Sequence, residues 1–200
     1  MARISAILLG AGESKRMGAN KLLLPWGKKT VLTHCVDTLI RSRVREVIVV
    51  LGGLTRPMEG QLKGPKVRVV YNAHYRGGMS TSIRKGVGGI DPRSRGILIA
   101  LGDMPFLSAK TVNALVRAFG QGKGEIVAPR LRRRTGHPVI FDRRYKKELL
   151  ELYGDVGGRT IMERHSDRVR WVRTRSEGVV KDVDTWRDYG KRINPFDSPV

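Results

Sequence analysis

The stretch Ile4–Pro25, ISAILLGAGESKRMGANKLLLP, sets the terms on which the rest of the chain is read. An apolar run (Ile4, then Ala6 to Leu9) stops at Gly10-Ala11-Gly12, and a polar turn with Ser14, Lys15, Arg16, Gly18 and Lys21 follows. A buried strand running into a glycine turn beside cations is an anion cradle. Backbone N–H groups exposed at the turn point at a phosphate, and the cations neutralise it. Two familiar phosphate loops are excluded. The dinucleotide fingerprint needs a glycine three residues after Gly12, where Lys15 stands, and the P-loop needs Gly-Lys-Ser/Thr, where Gly18 is followed by Ala19-Asn20-Lys21. The structural alternative is a plain strand-to-helix connection with incidental basic residues.

Outward from this stretch, strands alternate with helices. Thr30 is placed to cap a helix with Val31, Leu32, Cys35, Val36, Leu39 and Ile40 on one face. Residues 46–51 (EVIVVL) read as a strand covered on both faces and end at Gly52-Gly53, with a short helix expected over 56–62. Residues 67–71 and 96–101 (GILIAL) are the third and fourth strands. The segment Asn72–Ser82 opens a helix to about Val87, and Ser108 caps another. Further strands are expected over 125–128, at Val139-Ile140-Phe141 and over 168–174. Helices are expected over 143–153, near Thr160 and after Thr185. This order predicts an α/β fold with a mostly parallel sheet, its loops leaving the strands' carboxyl ends along one crevice where ligands bind. Two hundred residues without repeat or linker read as one domain, 1–200, with a loose tail over 190–200.

Charge is the compositional outlier: 39 Lys+Arg against 18 Asp+Glu give +21. That balance favours anionic partners such as phosphorylated substrates, lipid or nucleic acid. The charge is spread from Arg3 to Arg192 and aromatics are only 6%, so a nucleic-acid module is disfavoured. A lone Cys35 excludes internal disulfides and multi-cysteine metal sites. No apolar run approaches the roughly 20 residues of a membrane span, and no cleavage site follows the N-terminus, so a cytoplasmic location is expected.

The motif Leu9-Gly10-Ala11-Gly12-x-Ser14-x-Arg16-Met17-Gly18-x-x-Lys21 resembles the signature of the nucleotidyltransferases that act on the molybdenum cofactor, the molybdopterin cytidylyl- and guanylyltransferases. They write it L-A-A-G-x-S-x-R-M-G-x-x-K in the cytidylyl branch and L-A-G-G-x-S-x-R-M-G-x-D-K in the guanylyl branch. Further matches follow in order: Asn72, Gly78, Met79 and Ser82 to N-x-x-x-x-x-G-M-x-x-S, then Gly102-Asp103-Met104-Pro105 to G-D-M-P. Gly136-His137-Pro138-Val139 matches G-H-P-V, Gly154-Asp155-x-Gly157-x-Arg159 matches G-D-x-G-A-R, and Asp182-Val183-Asp184-Thr185 matches D-[IV]-D-T. The departures are Gly10 for Ala, Gly158 for Ala, Trp186 for Pro and Arg187 for Glu. The first of these is expected to matter little in a turn.

The resemblance implies a three-layer Rossmann-like nucleotidyltransferase fold with helices on both faces of the sheet. It implies a nucleotide site of Leu9, Gly10, Ala11, Gly12, Arg16, Lys21, Asn72, Gly78, Met79 and Ser82. Arg16, Lys21 and Asp103 are the catalytic candidates. Mg²⁺ is expected on Asp103 with Asp182 or Asp184, which alternation puts on one face without choosing between them. The basic turn Arg130–Arg134 reads as a solvated hairpin tip or as an attractor for an anionic acceptor. Arg134, His137 and Arg159 are the acceptor candidates. Ala11 and Asn20 favour the cytidylyl branch, hence transfer of CMP from CTP to the molybdopterin phosphate, with a molybdoenzyme as possible client. The alternatives are GTP, another phosphorylated acceptor (a sugar phosphate or phospholactate), a polyanion-binding module, and a cofactor chaperone.

Overall fold

The computed structural model describes residues 3–14 and 17–190. The strands are β1 (Ile4–Gly10), β2 (Pro25–Trp26), β3 (Lys29–Thr30), β4 (Glu46–Leu51), β5 (Val67–Tyr71), β6 (Gly96–Leu101), β7 (Ile126–Leu131), β8 (Arg134–Thr135), β9 (Val139–Asp142) and β10 (Val169–Arg173). The helices are α1 (Val31–Ile40), α2 (Met79–Gly88), α3 (Ala109–Gly120), α4 (Lys146–Glu151), α5 (Arg159–Arg164) and α6 (Trp186–Gly190).

The main sheet runs β10-β7-β9-β6-β1-β4-β5, with β8 paired to β7. Pairs β1–β4, β1–β6, β4–β5 and β7–β10 are parallel, and β9 runs antiparallel to both β6 and β7. The chain builds outward from β1 through β4 to β5, then crosses back to place β6 on the other side of β1. Strand order reverses there, so the loops after β1 and β6 diverge and leave a crevice between them. Because β9 runs the opposite way, the turn that enters it, Gly136-His137-Pro138, lies at the same edge as the carboxyl ends of its neighbours.

Alternation along β1 divides the core. Ile4, Ala6 and Leu8 pack with Leu32, Cys35 and Leu39 of α1 and Val112 and Leu115 of α3. Ile7 faces the opposite layer, with Ile83 and Val87 of α2, Leu149 of α4 and Ile161 of α5. Helices therefore cover both faces, and buried β-branched strands with few polar atoms follow from that double cover. Alpha1 starts as expected: Thr30 and Thr33 exchange side chain-to-backbone hydrogen bonds at 3.2 and 2.8 Å, a capping box.

Several details differ from the sequence expectation. Residues 56–61 and 143–145 form 3₁₀ turns, so the fourth helix starts only at Lys146. Pro25-Trp26 and Lys29-Thr30 form a small hairpin around Gly27, whose φ is +57°. Gly10 is the last residue of β1 rather than part of a turn. A Cβ there would lie 3.1 Å from Leu32 and 3.2 Å from the Val50 carbonyl, so its lack of a side chain admits α1 close to the sheet. Gly158 has a similar cause, since a Cβ there would meet the Phe141 ring at 2.5 Å. Of the expected loose tail over 190–200, Gly190 instead ends α6, and the rest lies outside the described residues.

One buried hydroxyl ties the first two loops together. Thr55, wholly buried, donates to the Gly10 carbonyl at 2.7 Å and accepts from the Gly52 N–H at 3.0 Å. Thr55→Val keeps the shape and leaves both backbone groups without that partner. The expected cost is about 2 kcal/mol, read as a lower urea midpoint at unchanged m value.

Candidate active site

The glycine turn after β1 opens onto a cavity of about 660 Å³. Its walls include Leu9, Ala11, Gly12 and Ser14 from that turn, Gly78, Met79 and Ser82 from the start of α2, and Asp103 from the end of β6. Tyr75 and Asp155 also line it, and sequence reasoning singles out neither individually. Each has a positioning role. A Cβ on Gly52 would meet the Tyr75 ring at 3.0 Å, so Tyr75 packs directly on the turn after β4. Asp155 Oδ1 accepts from the Met79 N–H at 3.1 Å and caps α2 from a distant loop, because Gly78 has no side chain to do so. Gly78 itself takes φ +97° where its backbone crosses Gly154, and a Cβ would lie 2.5 Å from the Gly154 carbonyl.

The sequence-derived nucleotide residues divide by geometry. Leu9, Ala11, Gly12, Gly78, Met79 and Ser82 line the cavity. Asn72 is buried behind them, its amide donating to Thr81 (2.9 Å) and Ser82 (3.0 Å) and its carbonyl accepting from the His74 N–H. Asn72 therefore holds the loop in shape. Arg16 lies outside the described residues. Ser14 adopts φ +55°, and its hydroxyl accepts from the Lys21 N–H at 3.1 Å, which fixes the loop's exit.

Lys21 begins a 3₁₀ turn capped by the Asn20 side chain. Its ammonium lies 2.7 Å from Asp103 Oδ2 and 2.5 Å from Asp184 Oδ1. Burial works against the charge, but the attraction and hydrogen bonds of the two carboxylates outweigh it and raise the Lys21 pKa above its usual value. The segment that delivers Asp184 is a loop pinned by Val183, which is wholly buried and donates its N–H to the Asp103 carbonyl at 2.9 Å. Asp182 lies on the outer side of Val183. Partial desolvation, then the charges of Asp184 and Asp103, push its carboxyl pKa up. Asp184, rather than Asp182, makes the direct contact.

Among the described residues, no group of three or more His, Cys, Asp or Glu side chains is arranged to hold a metal. Two carboxylates are nevertheless the protein share of many Mg²⁺ sites, with substrate phosphates and water supplying the rest. The donor set fits. Asp103 Oδ1 is buried with no hydrogen-bond partner, although its sister oxygen is taken by Lys21. A hard cation would satisfy it.

A second cavity, of about 560 Å³, contains all three acceptor candidates, Arg134, His137 and Arg159, together with Phe141 and Trp171. Arg130 of the basic turn stacks over Trp171, 4.9 Å from the ring centroid. The backbone N–H of His137 donates to the Val179 carbonyl at 2.8 Å, and a Cβ on Gly136 would meet that carbonyl at 2.4 Å, so the turn into β9 is clamped. Burial lowers the His137 pKa, offset in part by the Asp103 charge and a hydrogen bond to the Ile99 carbonyl. Its Nδ1 is buried without a partner. His137 is a neutral, enclosed imidazole at neutral pH.

A buried neutral histidine makes a pH prediction. The folded-state pKa lies below the usual 6.5, so the unfolded chain binds more protons as pH falls. The contribution is complete above about pH 6.5 and lost progressively below it. His34, lowered by burial and by Arg41, acts in the same direction. Urea midpoints should fall between pH about 7.5 and about 5.5. His137→Asn should make that fall smaller than in the unmodified chain.

Known proteins share the sequence pattern and the fold of this chain. Residues 6–169 match the family model described as MobA-like NTP transferase domain. The crystal structure of Rv0371c from Mycobacterium tuberculosis H37Rv superposes with a TM-score of 0.81 at 31% identity, over 95% of this chain and 97% of that one. A manganese complex of the same protein has also been determined. Nicotine blue oxidoreductase of Paenarthrobacter nicotinovorans is 29% identical over 91% of this chain and 92% of its own length. Molybdenum cofactor cytidylyltransferase of Escherichia coli is 26% identical over 72% of each.

Proposed function

The chain belongs to the MobA-like NTP transferase domain family, and on that premise we propose that it transfers CMP from CTP to the phosphate of the molybdopterin cofactor. The observation that carries the reading is the cluster of Lys21, Asp103 and Asp184 beside a cavity walled by the glycine turn. An oxygen of the acceptor phosphate attacks the α-phosphorus of CTP. The new P–O bond forms as the bond to the β-phosphate's bridging oxygen breaks, and pyrophosphate leaves with the electron pair. The acceptor phosphate is already ionised at neutral pH, so the chain needs no strong general base, and a neutral His137 fits that requirement.

The protein's share is alignment and charge neutralisation. The turn at Ala11-Gly12 offers backbone to the triphosphate, and Lys21 neutralises it together with Arg16, which is assigned from the sequence alone. Asp103 and Asp184 would hold Mg²⁺, which when bound supplies positive charge to the reacting phosphates. The manganese complex of Rv0371c supports a divalent cation. Arg134, His137 and Arg159 receive the phosphorylated pterin in the second cavity, and a molybdoenzyme takes the product. Ala11, Asn20 and the similarity to the E. coli cytidylyltransferase favour CTP.

One observation favours a second reading, a redox reaction: the relative that matches over nearly the full chain is named an oxidoreductase. A matrix of CTP, GTP and acceptors (molybdopterin, sugar phosphates, phospholactate) with Mg²⁺ and a pyrophosphate readout separates the two. CTP with molybdopterin should release pyrophosphate fastest. A GTP preference would sink the branch assignment, and substrate oxidation without pyrophosphate would sink nucleotidyl transfer. Asp103→Asn should lower turnover by at least about 100-fold while leaving the circular dichroism spectrum unchanged.

A further inference from the structure

The contact between Lys21 and the two carboxylates conflicts with its role on the triphosphate. An ammonium cannot neutralise phosphates in the cavity while it lies 2.7 and 2.5 Å from Asp103 and Asp184. Nor can a divalent ion bridge those carboxylates while Lys21 stays there. Mg²⁺ takes oxygen ligands at about 2.0–2.1 Å, only about half an ångström closer than the ammonium sits, so the two cations would share one position. The Lys21 side chain is only 12% exposed, and its ammonium is in direct contact with both carboxylates.

The backbone supports two end states. Ser14 and Asn20 hold the residue on either side of its Cα: Ser14 accepts from the Lys21 N–H and Asn20 caps the turn that Lys21 begins. Ser14 also lines the main cavity, so the four-carbon stem of Lys21 starts beside the phosphate loop. Asp103 lines that cavity too, so the ammonium it holds lies at the cavity wall. With Lys21 on Oδ2, Asp103 Oδ1 stays buried without a partner.

Resting on the nucleotidyltransferase reading, we propose that Lys21 is a placeholder cation, which occupies the metal position in the nucleotide-free protein and vacates it when a triphosphate draws it away. Metal and nucleotide then bind with positive coupling, and each raises the other's affinity by the same factor. The device offsets part of the repulsion between two facing carboxylates in the empty site. It also limits tight metal binding to the complex that can react.

Mn²⁺ binding, followed by water-proton relaxation without turnover, tests this directly. The unmodified protein should bind Mn²⁺ weakly alone and at least about tenfold more tightly with a non-hydrolysable CTP analogue, a factor within the usual range of coupling energies. Lys21→Met should bind Mn²⁺ at least about tenfold more tightly than the unmodified protein without nucleotide, and lose most of the enhancement by the analogue. Lys21→Arg, which restores a cation, should return nucleotide-free Mn²⁺ binding toward the weak value. If Lys21→Met is too unstable to titrate, Lys21→Gln serves, and a larger Mn²⁺-induced rise in its melting temperature than in the unmodified protein's is the supporting result. Equal Mn²⁺ affinity of the unmodified protein with and without nucleotide would overturn the proposal, as would no gain in Lys21→Met. Pyrophosphate release with such Mn²⁺ data would leave the catalytic reading standing and remove only the placeholder. No Mn²⁺ binding and no pyrophosphate release under any condition would remove both.

Discussion

Asp103 leaves the end of β6 and Asp184 arrives from a loop near the end of the described chain, and their carboxylates face one point in space. Two such charges cannot approach in a partly buried crevice without a cation between them, because desolvation strengthens repulsion as much as attraction. Lys21 is that cation in this structure. The dependence runs both ways. The glycine turn is drawn to the sheet edge by its lysine, and the closing segment is drawn across the crevice by its aspartate. A small apolar cluster of Met17, Val183 and Tyr189, with Trp26 and Phe106 against it, fills the space beneath the contact. Trp186 Nε1 donates to the Met17 carbonyl at 3.0 Å and the Tyr189 hydroxyl to the Pro25 carbonyl at 2.6 Å. The end of the described chain thus clasps the loop that begins it.

This arrangement follows from the strand order. Beta1 lies between β4 and β6, so the loops after β1 and β6 diverge and leave space between them. The antiparallel β9 brings His137 to the same edge, and its turn forms the wall of a second cavity rather than the first. Two cavities, the first with Asp103 and the ammonium it holds at its wall, suit a reaction that joins two anionic molecules. Distribution of the positive charge agrees. Many arginines are occupied locally, as Arg45 and Arg93 are on Asp91 and Arg144 on Glu125 and Asp142; Arg134 and Arg159 line the second cavity, Arg159 while paired with Glu163 at 2.8 Å.

Much of this was legible in the sequence, for identifiable reasons. Continuous apolar runs such as EVIVVL and GILIAL can only be strands covered on both faces, and glycine at their ends marks the crevice. Asp103 was readable because it follows such a strand at once. What sequence left open depends on contacts between distant segments. Alternation put Asp182 and Asp184 on one face, and what distinguishes them is contact with the distant Lys21, which Asp184 meets at 2.5 Å. Thr55 carries no local signal, since its importance lies in reaching the Gly10 carbonyl across two loops. Asn72 read as a nucleotide residue by motif, yet its amide is spent on Ser82, Thr81 and His74. Gly10, read as a neutral change, lies where Leu32 of α1 packs against the end of β1, leaving little room for a Cβ.

The central claim is that one position between Asp103 and Asp184 serves a lysine and a metal ion in turn. A crystal structure with Mn²⁺ and a non-hydrolysable CTP analogue, analysed by anomalous scattering at the manganese edge, tests it most directly. The account predicts a manganese peak bridging Asp103 and Asp184, with the Lys21 ammonium moved onto a phosphate oxygen. Lys21 still bridging the two carboxylates, with manganese bound elsewhere or absent, would contradict it.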